Sequence, residues 1–241
     1  MRMLVWLVVL LAARVAMAQT RPAPPLPRYE VKRATSPIII DGKPDDAAWA
    51  AAGKIELIFP WQSPNAPQQR TVARLLWDDS YLYVSFECED ADITAKFTQR
   101  DDPVDQDDSV LILINPNPSQ AHAYIGLDMN VRAVYHGYLS VDGQYFYRQF
   151  NMRGVRLVTY IDGTLNQSDD KDRGWSLEVA VPWSNFEDLS RQHGAGTTWT
   201  ANLGRWDGVA PNRSLSIWSD SLLEKPSPHA PTRFGELVFV K

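Results

Sequence analysis

Acidic residues are concentrated in two short segments of the chain, residues 89–92 and 101–108. The first segment ends one predicted strand, and the second leads into the next. Two acidic loops at the same end of a sheet would repel each other unless a cation or an arginine lay between them. Calcium fits such loops because it takes roughly six to eight oxygen ligands in flexible geometry. A solvated acidic rim paired with Lys96 and Arg100 explains the same residues, since the EF-hand spacing is absent.

Aromatic residues in polar loops indicate a possible sugar site. Trp61 lies in a loop rich in proline, and Trp206 follows Arg205 at a predicted strand end. Tyr145 and Tyr147 follow the predicted turn at residues 142–143. Flat apolar rings can pack on a pyranose, while charged forks such as Arg205 can bind its hydroxyl groups. The alternatives are rings that fold inward to pin their loops and a buried, hydrogen-bonded Arg205.

The sequence contains no standard catalytic set. Its four histidines are scattered, and neither a G-x-S-x-G nor an H-E-x-x-H motif occurs. Cys88 lies in a predicted strand on the face that points to the core, where a thiol packs as a small hydrophobe. A glycosidase would need two facing carboxyl groups, which sequence alone does not reveal. A binding protein is therefore the favoured interpretation over an enzyme.

Composition excludes several classes of protein. The 241 residues carry 24 Lys and Arg against 29 Asp and Glu, a formal net charge of −5. With no basic excess to neutralise phosphates, a nucleic acid is not an expected partner. One cysteine excludes an intrachain disulfide framework and Cys-rich metal sites. Oligomeric state cannot be inferred from these data.

The first 18 residues resemble a secretory signal peptide. A mostly apolar stretch at residues 4–13 is followed by Ala16, Met17 and Ala18, a small-x-small cleavage pattern. We expect a cut after Ala18 and a secreted or periplasmic product without a membrane span, because the apolar run is too short to cross a bilayer. Residues 19–35 are rich in proline and predict an extended leader.

Strand signals dominate the remaining residues, 36–241, which show no repeat and no second composition shift and therefore predict one domain. The residues at 81–88 alternate between apolar and polar, as expected for a half-buried strand. Many short strands without long helices favour an all-β fold, an antiparallel β-sandwich of jelly-roll or immunoglobulin-like type with one or two short helices. The short helices are predicted at 45–52 and 182–186. The other strands are predicted at 71–77, 109–114, 121–128, 133–139, 155–160, 175–181, 199–205, 215–218 and 236–240.

Several sequence blocks, in order along the whole domain, resemble the family 9 carbohydrate-binding modules. They lie at residues 38–49, 76–84, 107–110, 174–183, 199–205, 217–219 and 229–235. The resemblance implies a sandwich of the DOMON-like group, calcium ions in the loops and binding of sugar ends. It also implies an association with glycoside hydrolases and carbohydrate catabolism. Asp90, Asp92 and Asp108 match acidic loop positions of the family and are the calcium candidates it implies.

The sequence departs from the sugar-binding pattern of that family. Its members hold the sugar between two tryptophan rings, and these positions fall near Asp105 and Pro228 here. Where those members have an acidic residue that contacts sugar hydroxyls, this sequence has Leu111. Where they have an arginine on the next strand, the position falls near Gly126. The resemblance therefore implies the fold more firmly than the clamp.

Two other functions stay open at this stage. Because DOMON-like sandwiches include cytochromes with a b-type haem, Met129, Met152, His122 and His136 are possible axial ligands for an electron-transfer domain. The absence of the two clamp tryptophans is also consistent with an interaction module of the cell envelope that no longer binds sugar.

Overall fold

The computed structural model of the protein describes residues 23–148, 150–190 and 192–241. The predicted signal peptide, residues 1–18, and the start of the leader lie outside the described residues. Four short 3₁₀ helices span Ala47–Ala51, Val104–Gln106, Trp183–Asn185 and Pro231–Arg233. The strands are β1 (Arg28–Arg33), β2 (Ile55–Glu56), β3 (Thr71–Trp77), β4 (Tyr81–Glu89), β5 (Ser109–Asn115), β6 (Ala123–Asn130), β7 (Tyr135–Val141), β8 (Tyr145–Tyr147), β9 (Arg156–Asp162), β10 (Gly174–Pro182), β11 (Thr198–Asp207), β12 (Ser214–Ile217) and β13 (Gly235–Phe239).

The strands form two layers that β1 joins. The first layer, the front sheet, has the order β8-β7-β6-β5-β11-β13-β1, with β12 beside β11. The second layer, the back sheet, has the order β1-β3-β4-β10-β9, with β2 beside β3. Strand β1 pairs in parallel with β13 through residues 28–31 and with β3 through residues 32–33. All other ladders among the described strands are antiparallel, so the predicted sandwich is confirmed and its sheet is mixed only at β1.

One hydrophobic core lies between the layers. In β4, alternate side chains from Leu82 to Cys88 point into it, as the period of two predicts. They share this core with front-sheet residues such as Ile112 and Leu203. Burial raises the pKa of Cys88 to about 12, so the thiol stays protonated and serves packing. In the same core, the aromatic rings of Trp183 and Trp199 meet edge to face, with their centres 5.6 Å apart.

The structure corrects the predicted boundary of the leader. Strand β1 lies within residues 19–35, so the ordered domain begins by Arg28 and not at residue 36. Its own alternation explains this, since Tyr29 and Val31 are buried while the charged residues between them face out. The short strands β2 and β8 were not predicted from the sequence either. The two predicted helices are 3₁₀ helices, at Ala47–Ala51 and Trp183–Asn185.

A buried glutamate fixes the segment that covers the outer face of the back sheet. Glu178 has no solvent exposure, and its Oε2 accepts hydrogen bonds from the amides of Asp41 and Gly42 at 3.1 and 3.0 Å. Its Oε1 accepts from the indole nitrogen of Trp49 at 2.8 Å. The Trp49 ring then packs in an apolar cluster with Leu76. Asp41, Gly42 and Trp49 of the sequence block at residues 38–49 therefore stabilise the fold.

We expect Glu178→Gln to lower the free energy of unfolding by about 1–2 kcal/mol, because one acceptor oxygen becomes an amide donor facing N–H groups. Urea unfolding measures the change. Glu56→Gln, on an exposed ion pair with Arg70, is the matched control and should lower the free energy of unfolding much less. Equal losses in both variants would contradict the anchoring role.

Within the described residues, the helices are too short and polar to cross a bilayer.

Candidate functional site: a cleft on the outer face of the front sheet

A second apolar cluster covers the outer face of the front sheet. It contains Leu111, Leu113, Tyr124, Tyr138, Leu215, Ile217 and Phe234, and Trp61 and Trp206 pack against it. A cleft of about 240 Å³ opens beside this cluster. We call it the outer cleft. It is lined by Asp105, Leu111, Asp128, His136, Tyr138, Phe146, Arg148, Trp206 and residues 226–229.

The absence of a side chain at Gly126 makes room for the central ring of the cleft. Gly126 on β6 pairs with Tyr138 on β7. A Cβ at Gly126 would lie 2.1 Å from the Tyr138 ring, so that ring fills the space over the glycine. The Tyr138 hydroxyl then reaches toward Asp128 on the same outer face.

A tight hairpin brings Phe146 to the cleft wall. Asp142 and Gly143 join β7 to β8 with φ of +58° and +66°, values that an Asp-Gly pair adopts in a hairpin turn. A Cβ at Gly143 would lie 2.5 Å from the carbonyl oxygen of His229, so glycine is needed for close approach as well. The Phe146 and His229 rings meet edge to face at 5.0 Å.

Trp206 supplies the opposite aromatic surface. It lies near the end of β11, between Ser109 of β5 and Leu215 of β12 in the ladder. The guanidinium carbon of Arg213 lies 3.9 Å from the centre of its ring, a cation–π contact that orients the indole. An aromatic wall with polar groups between its rings is the usual design of a sugar site.

The titratable groups of the cleft are mostly uncharged at neutral pH. Burial raises the pKa of Asp128 to about 8, with Asp105 adding to the effect. Burial lowers the pKa of His229 to about 4, and its Nδ1 lies 2.8 Å from the Tyr124 hydroxyl. Burial also lowers the pKa of His136. The site therefore presents neutral hydrogen-bonding groups beside Asp105 and Arg148.

The raised pKa of Asp128 predicts a pH-dependent stability. The folded state binds the Asp128 proton more tightly than the unfolded chain does, so this stabilisation is lost as pH rises from about 4 to about 8. We expect the stability of Asp128→Asn, which stays neutral, to rise relative to that of the wild type by about 4 kcal/mol between pH 5 and pH 9. Urea unfolding at both pH values measures this. Parallel stability curves for the two proteins would contradict it.

The structure places the sequence-predicted sugar residues in different environments. Trp206 lines the outer cleft. Trp61 packs on the same cluster, but its indole nitrogen donates to the carbonyl of Leu223 at 2.8 Å and the ring is not part of the cleft lining. Tyr145 and Tyr147 are 71% and 58% exposed and do not line the cleft, since the side chain between them, Phe146, does so. The predicted aromatic segment forms β8, and the residue of this strand that meets the cleft is Phe146 and not its two neighbours.

Arg205 lies inside the protein, away from any ligand in the cleft. Its side chain is fully buried, and its Nη2 donates to Asp90 at 2.8 Å and to Asp207 at 2.6 Å. Its Nη1 donates to the Glu89 carbonyl and to Thr71. The structure therefore corrects the assignment of Arg205 from sugar contact to the buried alternative that the sequence left open.

These carboxylates form a candidate metal centre around Arg205. Asp90, Asp108 and Asp207 each offer an oxygen, and these oxygens lie within 4.8 Å of one another. Asp108 accepts from the amides of Thr94 and Gly208, both at 2.6 Å. Burial, with the negative charge of neighbouring Asp90 as a second cause, raises the pKa of Asp108 to about 7. Three carboxylates thus share one guanidinium. Their oxygens lie close enough together to hold a divalent cation.

The predicted metal set is partly changed by this geometry. Asp90 and Asp108 come together as the sequence indicates, while the third member is Asp207. Asp92 is exposed, and only its backbone amide joins the cluster, by donating to Asp90 at 3.1 Å. Asp207 was missed because its partners are distant in sequence. The pairing of β11 with β5, which places Trp206 beside Ser109, brings it near Asp108.

The possible haem ligands do not converge. Met129 and Met152 lie in the core between the sheets. His136 lines the outer cleft on the opposite face of the front sheet, and His122 is exposed beside Asp142. No pair of a methionine and a histidine from this set faces a common cavity.

A larger groove of about 370 Å³ lies on the outer face of the back sheet. Its arginines are already paired, since Arg74 bonds Glu87 and Arg173 bonds Asp162. Exposed ion pairs of this kind are ordinary surface features. The outer cleft is the better candidate because it combines aromatic rings with a buried carboxyl group.

The sequence pattern of the family described as "Carbohydrate family 9 binding domain-like" matches residues 40–241. The chain belongs to this family. Its resemblance to family 9 carbohydrate-binding modules is thereby confirmed. No curated protein sequence matches the chain.

Solved structures share the fold of this family member. A candidate carbohydrate-binding protein from Bacteroides uniformis has a TM-score of 0.76 and 16% identity, covering 89% of this chain and 100% of its own. A family 9 carbohydrate-binding module from Caldicellulosiruptor kristjanssonii in complex with cellotriose has a TM-score of 0.62 and 18% identity, covering 88% and 93%. A family 9 module from the same organism in complex with glucose has a TM-score of 0.61 and 19% identity, covering 88% of this chain and 95% of its own.

Proposed function

We propose that the chain is a non-catalytic carbohydrate-binding module that takes a sugar into the outer cleft. The observation that carries the proposal is the cleft itself, which the rings of Trp206, Tyr138 and Phe146 line together with the carboxyl group of Asp128. Aromatic faces beside convergent polar groups suit the two sides of a pyranose ring. Membership of the family supports the same ligand class.

The resemblance to the family supports the same location. Its two clamp tryptophans fall near Asp105 and Pro228 of this sequence, and both of these residues line the cleft. In this chain the aromatic surface comes instead from Trp206 on β11 and Phe146 on β8. The glucose and cellotriose complexes of the two similar modules make glucose and cello-oligosaccharides the first ligands to test.

Isothermal titration of the purified protein tests the proposal. The panel contains glucose, cellotriose, xylotriose, mannotriose and galactose, at concentrations up to several millimolar. We expect saturable binding of at least one member. Absence of binding across the panel would contradict sugar binding and favour an interaction module of the cell envelope.

We further propose that calcium binds at Asp90, Asp108 and Asp207. The ion would supply positive charge to carboxylates that Arg205 only partly neutralises, and so would stabilise the two acidic loops.

Removal of calcium with EDTA is therefore expected to lower the melting temperature, by about 4 °C or more if the ion contributes at least 1–2 kcal/mol. Asp108→Asn should make the melting temperature insensitive to EDTA. Asp162→Asn, on the exposed pair of the back sheet, should keep the wild-type response. A wild-type melting temperature that ignores both EDTA and added calcium would overturn the calcium proposal.

We propose that the protein is exported and acts in carbohydrate catabolism outside the cytoplasm, with cleavage after Ala18. The apolar stretch at residues 4–13 and the small residues before Gln19 support export. N-terminal sequencing of the product from a secreting host tests it, and a product that retains residues 1–18 would contradict it.

A further inference from the structure

A single acidic residue lies in the middle of the outer face of the front sheet. Asp128 on β6 stands directly across from Leu111 on β5 and from His136 on β7. Its neighbours in β6 are mainly apolar or small, so a charged residue here does not serve the core. It is 8% exposed, and the surface it keeps faces the outer cleft.

The Asp128 carboxyl group lacks the donors that other buried acids of the chain have. Among the described residues, its hydrogen-bond partner is the Tyr138 hydroxyl, at 3.5 Å from Oδ1, which is long for an O–H···O bond. By contrast, both oxygens of Asp108 accept backbone amides at 2.6 Å. A buried carboxylate without good donors is unfavourable, so the oxygens of Asp128 can accept hydrogen bonds from a ligand that enters the cleft.

The charged groups around Asp128 nearly balance. Asp105 faces it from the Val104–Gln106 turn, while Arg148 from the end of the β8 hairpin and Arg213 from the loop after β11 oppose it. The remaining titratable neighbours, His136, His229 and Tyr138, are uncharged near neutral pH because burial disfavours their charged forms. Once Asp128 is ionised, as hydrogen-bond acceptance from hydroxyl groups favours, two carboxylates face two guanidinium groups, and an acidic or an amino sugar would add a net charge to this balanced set. Neutral hydroxyl groups are the donors that this environment accepts.

We propose that Asp128 selects the ligand of the outer cleft by accepting hydrogen bonds from two adjacent hydroxyl groups of a neutral sugar. The two carboxylate oxygens can each take one hydroxyl proton, a bidentate arrangement that specifies both position and orientation. This inference rests on the proposed function, because it concerns the same cleft. It adds the ligand class, a neutral sugar with a free vicinal diol, and the residue that recognises it.

Binding of this kind has a proton signature. The free carboxyl group is largely protonated at pH 7, and hydroxyl donors favour its ionised form. Ligand binding should therefore release a proton. The measured heat should then vary with the ionisation enthalpy of the buffer.

The test uses methyl glycosides of glucose, galactose, mannose and xylose, together with glucuronic acid and glucosamine, in isothermal titrations at pH 7. We expect the tightest ligand to be neutral. Its monodeoxy analogues are then compared, and removal of either hydroxyl of one adjacent pair should weaken binding tenfold or more. The other hydroxyl groups should matter less.

Asp128→Asn is the decisive variant, because the amide has the same shape and needs no charge. It should bind the parent glycoside at least tenfold more weakly and release no proton. The deoxy penalty, the factor by which removal of one hydroxyl weakens binding, should fall to twofold or less in this variant. Asp162→Asn, on the back sheet, should keep the wild-type selectivity. A purely structural role for Asp128 would leave the deoxy penalty in place in the variant, whatever the change in its melting temperature.

The outcomes separate the two claims. Binding of a sugar with equal deoxy penalties in the wild type and Asp128→Asn would overturn the role of Asp128 while leaving sugar binding intact. Tightest binding of glucuronic acid or glucosamine would overturn the neutral class. Binding of none of these six probes, together with none of the free sugars and oligosaccharides in the panel above, would contradict the proposed function itself.

Discussion

Replacement of Arg205 by methionine is expected to lower the free energy of unfolding by about 3–5 kcal/mol in the presence of EDTA. The substitution keeps an unbranched side chain but removes the guanidinium that bonds Asp90 and Asp207. Asp108 is nearby, so three carboxylates would face one another without a cation. Breaking a buried pair leaves an uncompensated charge, which costs more than the pair contributes. Urea unfolding at pH 7.5 measures the loss.

Arg173→Met is the matched control for this experiment. Arg173 also bonds an aspartate, Asp162, but its side chain is 80% exposed, so its removal should lower the free energy of unfolding far less than the removal of Arg205 does. Calcium added to Arg205→Met should recover part of the lost stability if the ion binds the same carboxylates. Similar small losses in the two arginine variants would contradict the assignment of Arg205 to the buried centre.

Replacement of Trp206 by alanine is expected to weaken sugar binding by about 30-fold or more. Truncation of a central aromatic contact typically costs 2 kcal/mol or more, and about 1.4 kcal/mol corresponds to tenfold in affinity. Trp206 lines the outer cleft, and its ring is held by Arg213 at 3.9 Å. Isothermal titration with the sugar that binds the wild type gives the ratio of the two dissociation constants.

Trp61→Ala provides the comparison within the same apolar cluster. Trp61 packs against the residues that support the cleft, but its ring does not line it. Its removal should change affinity by less than about threefold, although some stability is lost. An affinity loss at Trp61 as large as that at Trp206 would contradict the location of the site.

The fold could be predicted from the sequence because its strands carry strong local patterns. The alternating residues at 81–88 and the β-branched and apolar run at 71–77 correspond to β4 and β3. Strand β1 was missed because it directly follows a run of prolines, and its stability comes from pairing with β13 and β3, which lie far away in sequence. The mixed character of the sheet depends on these two long-range pairings.

The site could be predicted only as a set of residue types. The aromatic residues at 145–147 were recognised, but the sequence does not fix which side of a three-residue strand meets the cleft, and the structure selects Phe146. Asp128 carried a local signal, an acid within an apolar strand, that the sequence analysis did not use. Asp207 carried none, because only the pairing of β11 brings it beside Asp90 and Asp108.

The central claim is that a sugar binds in the outer cleft, and chemical-shift mapping by heteronuclear NMR during a titration tests it most directly. We predict saturable shifts at the Trp206 indole and at the amides of residues 126–128, 136–138 and 146–148. The back sheet around Arg74 and Arg173 should stay unchanged. Shifts confined to the back sheet would contradict the account, as would a sugar panel that moves no resonance.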